Sequence, residues 1–118
     1  MARTTVPYST LTVNGSLTDP AGTAVTAGVG AGGQVLTALH EQTLLRVTNA
    51  TAGSVSVLAG TQPLATASGQ GPLTVAVGAG AVAWIGPFES ARFEQSDGSL
   101  IVETTQAATV TAFKVPRH

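Results

Sequence analysis

TLLRVTNATAGSVSVLAG, residues 43–60, is the stretch whose reading decides the fold. In its first half Leu45 and Val47 share one face, and Leu44, Arg46 and Thr48 share the other. Side chains alternate across a strand, so this is the pattern of a strand half-buried against a core. SVSVLAG (54–60) alternates Ser and Val in the same way, and NATAG (49–53) between them is turn material.

The pattern recurs outward from there. LTVAVG (73–78) puts Leu73, Val75 and Val77 on one face. AVAWIG (81–86) puts Val82 with Trp84, and Ile85 breaks the alternation. ARFEQ (91–95) reads as a strand leading through Ser96-Asp97-Gly98 into SLIVETT (99–105). Asp-Gly tolerates the positive φ that a hairpin turn demands. A last strand begins at Thr109, with Val110, Ala112 and Lys114 on one face and Thr111, Phe113 and Val115 on the other. GQGP (69–72), GAG (78–80) and GPFES (86–90) separate these runs. Only Val35–Glu41 offers a short helix. Short strands at roughly 8–12-residue spacing predict an all-β fold, here a small antiparallel β-sandwich of Ig-like or jelly-roll type.

Residues 1–33 differ. They hold one candidate hairpin, Leu11–Val13 with Ser16–Thr18 around Asn14-Gly15, and from Ala21 to Gly33 almost every residue is Ala, Gly, Val or Thr. So little side-chain bulk gives little to bury against the entropy of ordering. The expectation is an extended N-terminal arm over 1–33, ordered where it lies against the body or a neighbour, and a β-sandwich over 34–118.

Composition bounds the function. The chain has 118 residues, a single-domain length. Charged residues are 9%, against about 25% in ordinary soluble domains. Such a surface suits a protein covered within an assembly. There is no cysteine, which excludes disulfides, thiolate metal sites and thiol nucleophiles. The opening MARTTVPYST has no apolar core of a signal peptide, and no run of 18 apolar residues exists. Five Lys and Arg scattered over the chain form no basic patch, so neither nucleic acid nor membrane is an expected partner.

The chemistry-bearing residues are few. His40 and His118 fall short of the three ligands a metal site needs. No G-x-S-x-G accompanies Ser90, and Glu89, Glu94 and Glu103 lack the aromatic walls of a glycan cleft. GVGAGGQ (28–34) lacks the Lys-Ser/Thr of a phosphate loop and reads as a flexible connection. No enzyme activity, metal or cofactor is expected.

The densest stretch is AWIGPFESARFEQSDGSLIVE (83–103), which gathers the single Trp, two of three Phe and five of eleven charged residues. It reads as the scaffold of the sheet. Trp84, Ile85, Phe93 and, further on, Phe113 are the expected core anchors, and Arg92, Glu94 and Glu103 the surface or partner face, with a cross-strand bridge to Glu103.

LRVTNAT (45–51), GQGPLTVAV (69–77), WIGPFESARFEQSDGSLIV (84–102) and VTAFKVPR (110–117), with NGSLTDPAGTA (14–24), together resemble small virion proteins of tailed phages that infect actinobacteria, of the capsid decoration (cement) kind. The resemblance implies a structural protein on the capsid exterior that bridges major capsid protein subunits and itself forms an oligomer, such as a trimer at threefold positions. The arm residues Thr5, Val6, Pro7, Tyr8, Leu11 and Val13 are then the expected capsid contacts, by strand addition to a sheet edge. The alternatives are a head-tail connector, a tail-associated β-domain, or a virion module that binds host-surface glycan; exposed aromatics in a groove would favour the last.

Overall fold

The computed structural model describes residues 3–11, 14–28, 30–36, 38–61 and 66–115. Among these residues ten strands form two sheets. The first is ordered β1 (Thr4–Thr5), β4 (Gly33–Val35), β9 (Leu100–Thr104), β6 (Gly53–Val57) and β7 (Leu73–Val77). The second is ordered β2 (Tyr8–Thr10), β10 (Ala108–Lys114), β5 (Thr43–Asn49) and β8 (Val82–Ile85), with β3 (Thr23–Val25) also on β10. The chain is all-β, as its alternation predicts.

One core serves both sheets. Val35, Val55, Val57, Leu100 and Val102 come from the first, and Leu45, Val47, Ile85, Val110 and Ala112 from the second. Leu45 and Val47 are fully buried, and Arg46 between them and Thr48 after them are not, as alternation in residues 43–49 requires.

The sheets are mixed, which corrects the antiparallel expectation. β1 runs parallel to β4 and β2 parallel to β10. Both parallel pairs come from the segment expected as an arm. β1 pairs in one sheet and β2, three residues on, in the other. Pro7 lies at the switch, where a missing N–H interrupts no ladder. Val6 drops into the core there, 2% exposed, and Val25 on β3 is 3% exposed. Few large side chains suffice when each is placed between the sheets. The boundary expected at residue 33 falls at the first residue of β4.

Two further expectations change. Ser90–Phe93 is a single helical turn, where a strand over 91–95 was expected. Phe93 still reaches the core, edge-to-face with Phe88 at 5.5 Å between ring centres. A turn brings Phe93 back onto Phe88, five residues earlier, which a straight strand would carry away from it. The helix expected over Val35–Glu41 reduces to a 3-10 turn at His40–Gln42, because Gly33–Val35 pairs with both β1 and β9. Ser16–Thr18 is not a strand, and Thr12 and Val13 of that candidate hairpin lie outside the described residues.

Two glycines at the end of the Gly-rich connection are closely packed. Gly32 has φ +84°, and a Cβ there would sit 2.2 Å from the Val102 carbonyl oxygen. A Cβ on Gly33 would meet Val6 at 2.8 Å. Glycine lets β4 approach β9 and lets Val6 close over it.

Candidate binding surface

Trp84 corrects the sequence reading most sharply. It is 57% exposed, while its neighbour Ile85 is 4% exposed. Adjacent strand residues face opposite ways, so only one can enter the core. The β5 register decides which: Ile85 lies opposite the buried Leu45, and Trp84 opposite Arg46 on the outer face. Slipping by one residue would invert every side chain. The sequence placed Val82 with Trp84, and Val82 is indeed exposed, at 52%.

The indole rests on other side chains rather than standing free. Its ring stacks on Phe113, 5.6 Å between centres and 28° between planes. Phe113 is buried, as expected, but beneath Trp84 and outside the shared core cluster. The Arg46 guanidinium lies 5.9 Å from the Trp84 ring centre and 5.7 Å from that of Phe113, within cation–π range. Arg46 also pairs with Asp19, and donates through Nη2 to the Pro20 carbonyl at 2.7 Å and to Thr111 Oγ1 at 3.3 Å. Segment 14–20 is thereby held over the outer face of the sheet. Between it and Trp84 lies a cleft of about 430 Å³ walled by Leu11, Ser16, Leu17, Asp19 and Arg46. Arg46 and Asp19 offset each other, so the cleft is locally neutral.

The expected arm contacts are engaged within the chain. Thr5 pairs on β4 and Val6 is buried. The Tyr8 hydroxyl lies 2.6 Å from Thr43 Oγ1 and accepts from the Leu39 N–H at 2.9 Å. The Leu11 N–H donates to the Lys114 carbonyl at 3.1 Å. Pro7 is exposed, and Val13 lies outside the described residues. Of this set, β1 and β2 spend one edge each on their own sheets.

Nor do Arg92, Glu94 and Glu103 make one face. Arg92 lies over the Phe93 ring at 4.8 Å and donates through Nε to the Gly71 carbonyl at 3.1 Å. Glu94 ends the helical turn, its N–H bonded to the Ser90 carbonyl. Glu103 pairs with Arg3 at 2.9 Å and accepts from the Gly30 N–H at 2.8 Å, so the bridge expected from the neighbouring strand comes from the N-terminal segment.

Two carboxylates are held below their ordinary range. Glu41 accepts from the Ser90 N–H and hydroxyl, each at 2.8 Å, and the backbone bond is the larger cause. Asp97 is lowered by the Ser99 hydroxyl first and the Ser99 N–H second. Both contacts tie turns in place. His40 is buried with Nε2 unpartnered among the described residues, and no group of three His, Asp or Glu among them could hold a metal ion.

The other feature is an uncharged terminal strand in each sheet. Among the described residues β7 pairs only with β6, and β8 only with β5. No Asp, Glu, Lys or Arg occurs from Val47 to Phe88, a run of 42 residues that supplies β6, β7 and β8. Proteins guard free edges with charge, proline or bulges. Neither edge strand contains a charge or a proline. A second depression, about 480 Å³, lies against Ser54, Ser56 and Glu103, but its carboxylate is already engaged by Arg3 and Gly30. Comparison with protein-family models, curated proteins and solved structures finds no match to this chain.

Proposed function

We propose that this chain is a structural virion protein, a β-sandwich that binds the outer surface of a tailed-phage capsid and bridges neighbouring major capsid protein subunits. One observation carries the reading: the uncharged run from Val47 to Phe88 supplies β7 and β8, one terminal strand of each sheet. An unguarded edge is a hazard for a free monomer and an asset for a protein that is covered in an assembly. The open edge of β7 replaces the arm as the surface for strand addition, where main-chain bonds give affinity without demanding particular side chains. The resemblance to decoration proteins supplies the assembly. The reading takes the chain as non-enzymatic, needing no cofactor.

Co-sedimentation of the purified protein with empty capsids, titrated to saturation, tests it. Saturable binding at a fixed ratio to capsid subunits is expected. Absence of binding would move the role to the head-tail connector or tail.

A second reading has its own observation. Trp84 is an exposed aromatic in a neutral cleft beside Ser16 and Asp19, the arrangement that favours a glycan-binding module. Trp84 is the single tryptophan, so its emission reports on its own site. A saturable change on titration with host cell-wall polysaccharide supports this reading, and an unchanged spectrum removes it.

A further inference from the structure

We infer that the open edge of β8 pairs with β8 of a second copy of this chain, antiparallel about a twofold axis at Ala83. The inference starts from the edge itself. Val82–Ile85 hydrogen-bonds to β5 on one side only, so half of its main-chain polar groups point outward. It has no charge and no proline within it. An edge carrying a charge would repel its own copy; this one would not.

Self-complementarity selects the register. Residues directly opposite in an antiparallel pair project to the same face. Strand β8 exposes two large apolar residues, Val82 and Trp84, on one face and two apart. With Ala83 on the twofold axis, each Val82 lies opposite the partner copy's Trp84. Both exposed residues are covered at once, as two aromatic–β-branched cross-strand pairs. Ala83 and Ile85 face the core side, where Ile85 is already buried. The outer sheet of each copy would continue into the other. No different strand among those described combines a free edge with two exposed large side chains on one face.

Two four-residue strands meeting edge to edge form a small interface, of the weak and transient class. The dimer is therefore weak in dilute solution and populated where copies are crowded. It leaves the β7 edge free. The inference does not rest on the virion role, and its test contains no capsid.

Sedimentation velocity of the full chain over a concentration series up to about 1 mM, which reaches weak association, is the experiment. Reversible dimerisation is expected, with a blue shift of Trp84 emission as the indole is covered. Val82→Lys puts a charge on the edge and touches no core residue; it should weaken the dimer at least about tenfold, with an unchanged circular dichroism spectrum. The chain has no cysteine, so a mixture of Val82→Cys and Trp84→Cys proteins should form a disulfide-linked dimer on oxidation, and neither variant alone should. A chain monomeric throughout overturns the inference. So does a dimer that survives Val82→Lys or fails to cross-link in the mixture, since its interface would lie elsewhere.

Discussion

The exposure of Trp84 beside the burial of Ile85 yields the most discriminating prediction. Trp84→Ala and Ile85→Ala alter adjacent residues of one strand. Trp84 is 57% exposed, hence 43% buried. A fully buried Trp removes up to about 250 Å² from water. The buried fraction is then about 100 Å², worth about 2.5 kcal/mol at 25 cal/mol per Å², as an upper bound. Alanine retains part of that contact, which leaves about 1.5–2 kcal/mol, including the loosened stacking on Phe113. Ile85 is 4% exposed and lies opposite Leu45. Its truncation opens a cavity between the sheets and should cost about 3–4 kcal/mol, within the range for core Ile→Ala. Urea denaturation followed by far-ultraviolet circular dichroism is the assay, because Trp84→Ala removes the only indole. It should be run at low protein concentration, so that dimer loss does not enter. A Trp84→Ala cost equal to or above that of Ile85→Ala would refute the reasoning. It would mean that the β5–β8 register is displaced by one residue and that Trp84 points inward.

Deleting residues 2–20 removes β1, β2 and the buried Val6, and should destabilise or unfold the body; a truncated chain that melts like the intact one would show these strands to be dispensable. Gly32→Ala and Gly98→Ala share nearly the same φ, +84° and +83°, but only Gly32 is confined, by the Val102 carbonyl. Both should destabilise, Gly32→Ala by more than about 1 kcal/mol beyond Gly98→Ala, and equal midpoint shifts in denaturation would contradict the close approach of β4 to β9. Glu41 and Asp97 are depressed in the folded chain by Ser90 and Ser99, so their contribution is present above the unfolded carboxylate range and is lost as pH falls through the folded values. The stability gap between wild type and Glu41→Gln should therefore narrow in acid, and a gap independent of pH would place the Ser90 contact outside the folding balance.

Local alternation was readable wherever both faces had different chemistry. The sequence by itself determined the all-β class, the strand Thr43–Asn49 to the residue, the inward faces of β5, β6 and β7, and the scarcity of charge. Period-two patterning is a local property, and a strand carries it without its neighbours. Tertiary structure decided the rest. In AVAWIG both parities offered apolar bulk, and only pairing with Leu45 and Arg46 on β5 told Ile85 from Trp84. The N-terminal segment read as an extended arm, ordered where it lies against the body or a neighbour; its strands instead pair within both sheets, and Val6 and Val25 join the shared core. Phe88 gave no periodic signal, and its burial follows from a turn that folds Phe93 onto it. The cleft joins Asp19, Arg46, Trp84 and Phe113 from four separated segments. Such a juxtaposition exists only once the strands are in register, because it depends on which neighbours the chain brings back, and no window of sequence contains them.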